Sequence, residues 1–150
     1  MQKGGKEGDE MKVLIICTGN SCRSQMAAAY LERLCPEWTV RSAGTVPAPE
    51  VNPLAVRVMA EDGIDISRRI PCSVSGNSPE PWDTGIIVCG GAREPGPVFS
   101  GSVRRRLRSG FDDPAAAGAS EAERLRAFRR VRDGIRRAMV RFAEENGSEG

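Results

Sequence analysis

Residues 12–24, KVLIICTGNSCRS, decide how the rest of the chain is read. Lys12 to Cys17 is short, almost continuously apolar and rich in β-branched side chains, the pattern of a strand buried on both faces of a parallel sheet. Ser24 to Cys35, SQMAAAYLERLC, places Met26, Tyr30 and Leu34 four apart and is closed by Pro36, which predicts a helix. Strand, short polar loop and helix form the first half of a β-α-β unit. In such a unit, the loop leaving the strand's carboxyl end offers unpaired backbone N–H groups and the positive end of a helix to an anion.

Cys17 stands at that place, with Arg23 six residues on. The spacing lets Thr18, Gly19, Asn20, Ser21, Cys22, Arg23 and Ser24 wrap one tetrahedral oxyanion. Gly19 and Asn20 allow unusual dihedrals, the intervening amides can turn inward, and Arg23 supplies a planar fork for two oxygens. The same field favours a thiolate at Cys17 and predicts a lowered pKa, in the range of ~3.5–7.5 seen for activated cysteines. Ser24 can donate to the sulfur and is placed to cap the helix. A bare Cys-x5-Arg match by itself favours a buried, inert cysteine with a surface arginine. The strand before it, Gly-Asn within it, Ser after it and the helix beyond make it a candidate site. The chain has no histidine, which excludes Ser-His-Asp and Cys-His catalysis and His-based metal sites.

The remaining segments extend the alternation. Trp38 to Ala43 reads as a strand, and Asn52 caps a helix from Pro53 to Glu61 that stops at Asp62-Gly63. Ser67 to Asp83 has loop composition, Gly85 to Cys89 (GIIVC) is a second buried strand, and Ser102 to Leu107 is a strand despite Arg104, Arg105 and Arg106. Phe111-Asp112-Asp113-Pro114 is a turn. From Ser120 to Glu145, Leu125, Phe128, Val131, Ile135, Met139 and Phe142 recur at helical spacing behind a Ser120/Glu123 capping box. The whole predicts an α/β fold: a mostly parallel sheet with helices on both faces, in one domain over residues 11–143. A disordered extension (1–10) and a flexible tail (144–150) flank it. The first ten residues, MQKGGKEGDE, carry no apolar signal segment, so a cytoplasmic location is expected. No run approaches the ~20 apolar residues of a membrane span. A net charge of +2 makes no case for nucleic acid, and the arginines of 103–108 read as solvated surface. Five cysteines without an export signal suggest free thiols rather than a disulfide framework.

CTGNSCRSQMA (17–27) resembles the low-molecular-weight protein tyrosine phosphatase superfamily, and within it the thioredoxin-coupled type of arsenate reductase, which carries Gln where the phosphatases carry Pro, here Gln25. The similarity continues through RSAGT (41–45), GIDIS (63–67), VCGGAREPGPVF (88–99), FDDP (111–114) and AFRRVRDGIRRAM (127–139). The implied fold is a four-stranded parallel sheet flanked by helices. Position by position, the resemblance makes Cys17 the nucleophile, Thr18 to Ser24 the cradle with Arg23 binding the oxyanion, and Asp113, directly before Pro114, the general acid, with its neighbour Asp112 as the second candidate. Cys89 would attack the Cys17–arsenate adduct, releasing arsenite and leaving a Cys17–Cys89 disulfide. Cys22 reads as structural or as an accidental redox partner, and Cys35 as a packing residue.

Three positions depart from the family pattern. Gly96 stands where the third redox cysteine is usual, so the disulfide would be reduced by thioredoxin, glutaredoxin or a small thiol, or through Cys72 as a stand-in. Ala28 stands where such reductases often place a Glu that helps hold a potassium ion, so no metal and no bound cofactor are expected. Arg108-Ser109 replaces a usual His-Trp. The expected ligands are arsenate or phosphate with a thioredoxin-like reductant, and the expected state is a monomer. Two further functions stay open: phosphomonoester hydrolysis through a phosphocysteine, and a non-catalytic oxyanion-binding or regulatory role. Ala115 and Ala116, where tyrosine phosphatases place aromatic residues, disfavour phosphotyrosine.

Overall fold

The computed structural model describes residues 11–73, 82–89, 103–116, 118 and 120–147. β1 (Lys12–Cys17), β2 (Thr39–Gly44), β3 (Trp82–Ile87) and β4 (Val103–Arg108) form one sheet in the order β2-β1-β3-β4. All three pairings are parallel. β1 is therefore central, and Val13 to Ile16 are at most 1% exposed, which explains the unbroken apolar run. β4 is an edge, and a row of arginines on an edge discourages another chain from pairing there.

Alternation along β1 divides the core. Val13 and Ile15 pack with buried residues of α1 (Arg23–Leu34), α2 (Pro53–Glu61) and α3 (Glu121–Gly147), including Met26, Leu31, Val58, Met59, Phe128, Ile135 and Met139. Leu14 and Ile16 form a smaller cluster with Ala43 and Trp82, to which none of the described helices contributes. Among the described residues no helix is long and apolar enough to cross a membrane.

Local signals act as their chemistry demands. Asn52 Oδ1 accepts from the Leu54 N–H at 2.8 Å with Pro53 in the first turn of α2. Ser120 Oγ accepts from the Glu123 N–H while Glu123 Oε1 accepts from the Ser120 N–H, a reciprocal cap. Several boundaries differ from those the sequence predicts: β2 and β4 each lie one residue further along, and β3 ends at Ile87, two residues before Cys89. β3 begins at Trp82 instead of Gly85, because Trp82 pairs with Val103 and Asp83 accepts from the Lys12 N–H. α1 begins at Arg23. The last helix continues to Gly147, into the stretch expected as tail, with Asn146 tied to Arg105 of β4 and to the Phe142 carbonyl.

Ion pairs lock α2 against α3. Arg132, only 9% exposed, donates to the Val58 carbonyl, Glu61 and Asp133, and Arg129 grips both oxygens of Glu61. The hydrogen bond from Arg129, aided by Arg132, holds the Glu61 carboxyl at about 2. Arg136 and Tyr30 both donate to Asp62. These contacts keep the long helix behind α1, whose first turn carries the site.

Candidate active site

The loop between β1 and α1 is shaped from outside. The carbonyls of Cys17, Thr18, Gly19 and Ser21 accept from the N–H groups of Thr45, Val46, Ala48 and Asn52, so the Pro-containing segment 45–52 straps the loop's outer side. In a trans peptide the C=O and the following N–H point in opposite directions. The N–H groups of Thr18, Gly19, Asn20 and Cys22 are therefore turned away from the strap, as an anion cradle needs. Gly44, at the end of β2, makes the close approach possible: a Cβ there would lie 2.4 Å from the Thr18 carbonyl oxygen and 3.0 Å from Asn20.

Asn20 is the pivot. It has a φ of 54°, a left-handed conformation that Asn tolerates, and it is fully buried. Its Nδ2 donates to Ser24 Oγ at 2.7 Å, and Gln25 Nε2 donates to both its backbone oxygen and its Oδ1. The Cys72 N–H completes the set on Oδ1 at 2.8 Å. In sequence Gln25 is only a mark of class; its structural role depends on the left-handed turn at Asn20, which brings both the backbone oxygen and Oδ1 of that residue to one amide. Ser24 was expected to cap α1; Cys22 holds that position without a side-chain cap, since the Ser24 hydroxyl lies inside the first turn and is engaged by Asn20.

Arg23, at 4% exposure, donates from Nη1 to the Phe111 carbonyl at 2.8 Å, tying the Phe-Asp-Asp-Pro turn to the loop. Phe111 also donates its N–H to Val88 and lies against Gly134 of α3, where a Cβ would come within 3.3 Å of its ring. Asp112 is exposed; Asp113 is half-buried and accepts from the Ala115 N–H. Burial pushes the Cys22 thiol up to about 11, and the negative charge of Asp113 adds to the rise. The Asp113 carboxylate is thus near enough to the loop to act on Cys22.

Cys17 and Cys89 come together. Both are buried free thiols, Thr18 Oγ1 lies 3.8 Å from Cys89 Sγ, and the two cysteines are close enough for Cys89 to act on the ionisation of Cys17. The neighbouring Cys89 thiol, with burial next, pushes the Cys17 thiol upward, while Arg23 opposes the rise. The expectation of a lowered Cys17 pKa is thus overturned for the reduced pair. It considered the loop and Arg23 alone, whereas two thiols in contact share a proton and the second ionisation is opposed by the first. Cys72 is not brought to this pair. Cys17 is paired with Gly44, and Gly44 is bridged in turn to Ser73. Cys72 therefore lies about two strand spacings from Cys17, roughly 9–10 Å, beyond the ~7 Å within which a disulfide closes. It is exposed, whereas Cys22 and Cys35 are buried. Gly96 lies outside the described residues. Among the described residues no group of three His, Cys, Asp or Glu could hold a metal ion.

A family model described as low molecular weight phosphotyrosine protein phosphatase matches residues 12–149. Arsenate reductases of Halalkalibacterium halodurans and Bacillus subtilis are 42% and 41% identical over 133 residues, covering 88% of this chain and 94% of each relative. A solved arsenate reductase in its reduced state superposes with a TM-score of 0.71 at 26% identity, covering 90% of this chain and 98% of its own.

Proposed function

The chain belongs to the low molecular weight phosphotyrosine protein phosphatase family, and on that premise we propose that it is an arsenate reductase. The observation that carries this is the contact between Cys17 and Cys89 beside the oxyanion loop. A phosphatase needs one thiol there, and a reductase needs two.

Arsenate sits in the cradle of residues 18–24, its oxygens on the inward N–H groups and the Arg23 guanidinium. The negative charge it brings is met by these fixed dipoles at the end of β1. As the Cys17 thiol passes its proton to an oxygen of the bound arsenate, its sulfur attacks arsenic; an S–As bond forms, an As–O bond breaks, and Asp113 gives a proton to the departing oxygen, which leaves as water. Cys89 then attacks the Cys17 sulfur. The S–S bond forms as the S–As bond breaks with its electron pair going to arsenic, so arsenate leaves as arsenite and the two sulfurs are oxidised by two electrons. The nearness of the two thiols beside the loop supports this step. An external thiol reductant (thioredoxin, glutaredoxin or a small thiol) restores the pair, since Gly96 cannot carry the disulfide onward. The reach of Cys72 makes direct reduction the better supported route.

Peptide mapping after a single arsenate turnover without reductant tests the reading. A Cys17–Cys89 disulfide with one equivalent of arsenite is expected, and a fully reduced Cys89 overturns it. The same cradle supports hydrolysis of p-nitrophenyl phosphate as a side activity, because Asp113 and Cys17 suffice for a phosphocysteine.

A further inference from the structure

We infer that Gln25 is a positioning residue of the oxyanion loop, a neutral clamp on Asn20, in a chain whose Ala28 leaves the loop without the carboxylate a potassium ion would need. The inference rests on the cradle of the preceding section. Four carbonyls of residues 17–21 go to the strap; the fifth, that of Asn20, is held by Gln25 Nε2 at 3.0 Å. Holding that carbonyl fixes the peptide that follows it, and so the direction of the Ser21 N–H. Asn20 stays left-handed because its surroundings over-determine it. Gln25 takes both its backbone oxygen and Oδ1, the Cys72 N–H takes Oδ1 as well, and Ser24 takes Nδ2. Gln25 is 1% exposed, so water does not substitute for it.

The residues present do not fit a cation. Both oxygens of Asn20 already face N–H dipoles, whose positive ends occupy the direction a metal would need. Ala28 is fully buried and brings no carboxylate. The loop of this chain is therefore set by an amide, and its anion affinity is independent of which monovalent cation is present.

Inorganic phosphate binding, measured by calorimetry, tests this without requiring arsenate reduction. Wild-type protein is expected to bind phosphate equally in potassium and tetramethylammonium chloride. Gln25→Ala is expected to bind about tenfold or more weakly, since a buried carbonyl loses its partner and one cradle amide loses its direction. Gln25→Glu sets a carboxylate against two acceptor oxygens, and its binding is expected to fail in tetramethylammonium and to return with potassium. That rescue is a response a merely structural loss does not give, and it carries the test alone should Gln25→Ala not fold. Unchanged binding by Gln25→Ala, potassium dependence of the wild type, or a Gln25→Glu variant indifferent to potassium each overturns the proposal. Wild-type protein that binds neither phosphate nor arsenate overturns the cradle itself, and this proposal with it.

Discussion

Gly44→Ala isolates the link between the sheet and the site. The added carbon would lie 2.4 Å from the Thr18 carbonyl oxygen and 3.0 Å from both Cβ and N of Asn20, where ordinary contact begins at 3.4 Å. The groups it meets are loop backbone and the Cβ of the residue that pivots the loop, so no side-chain rotation relieves the clash. β2 is held in register along its length by β1, so the loop is the part that yields, by about 1 Å if it absorbs the whole overlap. Overpacking of this kind costs about 1–3 kcal/mol, which for a chain of this size lowers Tm by roughly 3–10 °C. Misplacing a cradle by about 1 Å costs on the order of 100-fold in kcat/KM. Gly63→Ala is the matched control: its φ of 77° makes alanine strained, at about 1 kcal/mol, but nothing lies within 4 Å of the new carbon. The control should lose stability and keep activity, while Gly44→Ala loses both. A Gly44→Ala enzyme with wild-type kcat/KM for arsenate would refute the argument that this glycine exists for the loop.

Cys89→Ser should abolish arsenite release while leaving p-nitrophenyl phosphate hydrolysis. Because Cys89 raises the Cys17 thiol, Cys89→Ala should also move iodoacetamide labelling of Cys17, followed by peptide mapping, to lower pH. Asp113→Asn should lower kcat for arsenate by about 100-fold or more with a small change in KM, as expected for a group that acts on the leaving oxygen, while Asp112→Asn has little effect in the same assay. Glu61 is held at about 2, below its ordinary 4.5. Its contribution to stability is therefore fully present above about 4.5 and lost as the pH falls through about 2. Urea unfolding across that range should show a slope that Glu61→Gln reduces.

The fold was legible wherever a pattern is local. An unbroken β-branched run announced the central strand, Asn-Pro and Ser-x-x-Glu announced two helix starts, and a 3.6-residue period announced the last helix. Trp82 and Asp83 were read as loop because their strand character comes from pairing with Val103 and Lys12, which no short window contains. The site divides in the same way. Cys17, Arg23 and the Asp-Pro turn follow from spacing and resemblance, but the direction of the Cys17 pKa depends on Cys89, seventy-two residues later. The brace on Asn20 likewise draws on Gln25 and on the backbone of Cys72, fifty-two residues away. A backbone donor leaves no trace in side-chain chemistry.

The strap has a consequence for how the enzyme fails. Since the backbone N–H groups of Thr45, Val46, Ala48 and Asn52 orient the loop dipoles before any ligand arrives, the reorganisation cost is met once, during folding. The same four amides are then reporters of competence: hydrogen exchange at these positions measures opening of the segment that aims the cradle. A fluctuation that frees them would silence the site while leaving the sheet and the long helix intact, so heat inactivation is expected to follow this local opening and to precede global unfolding.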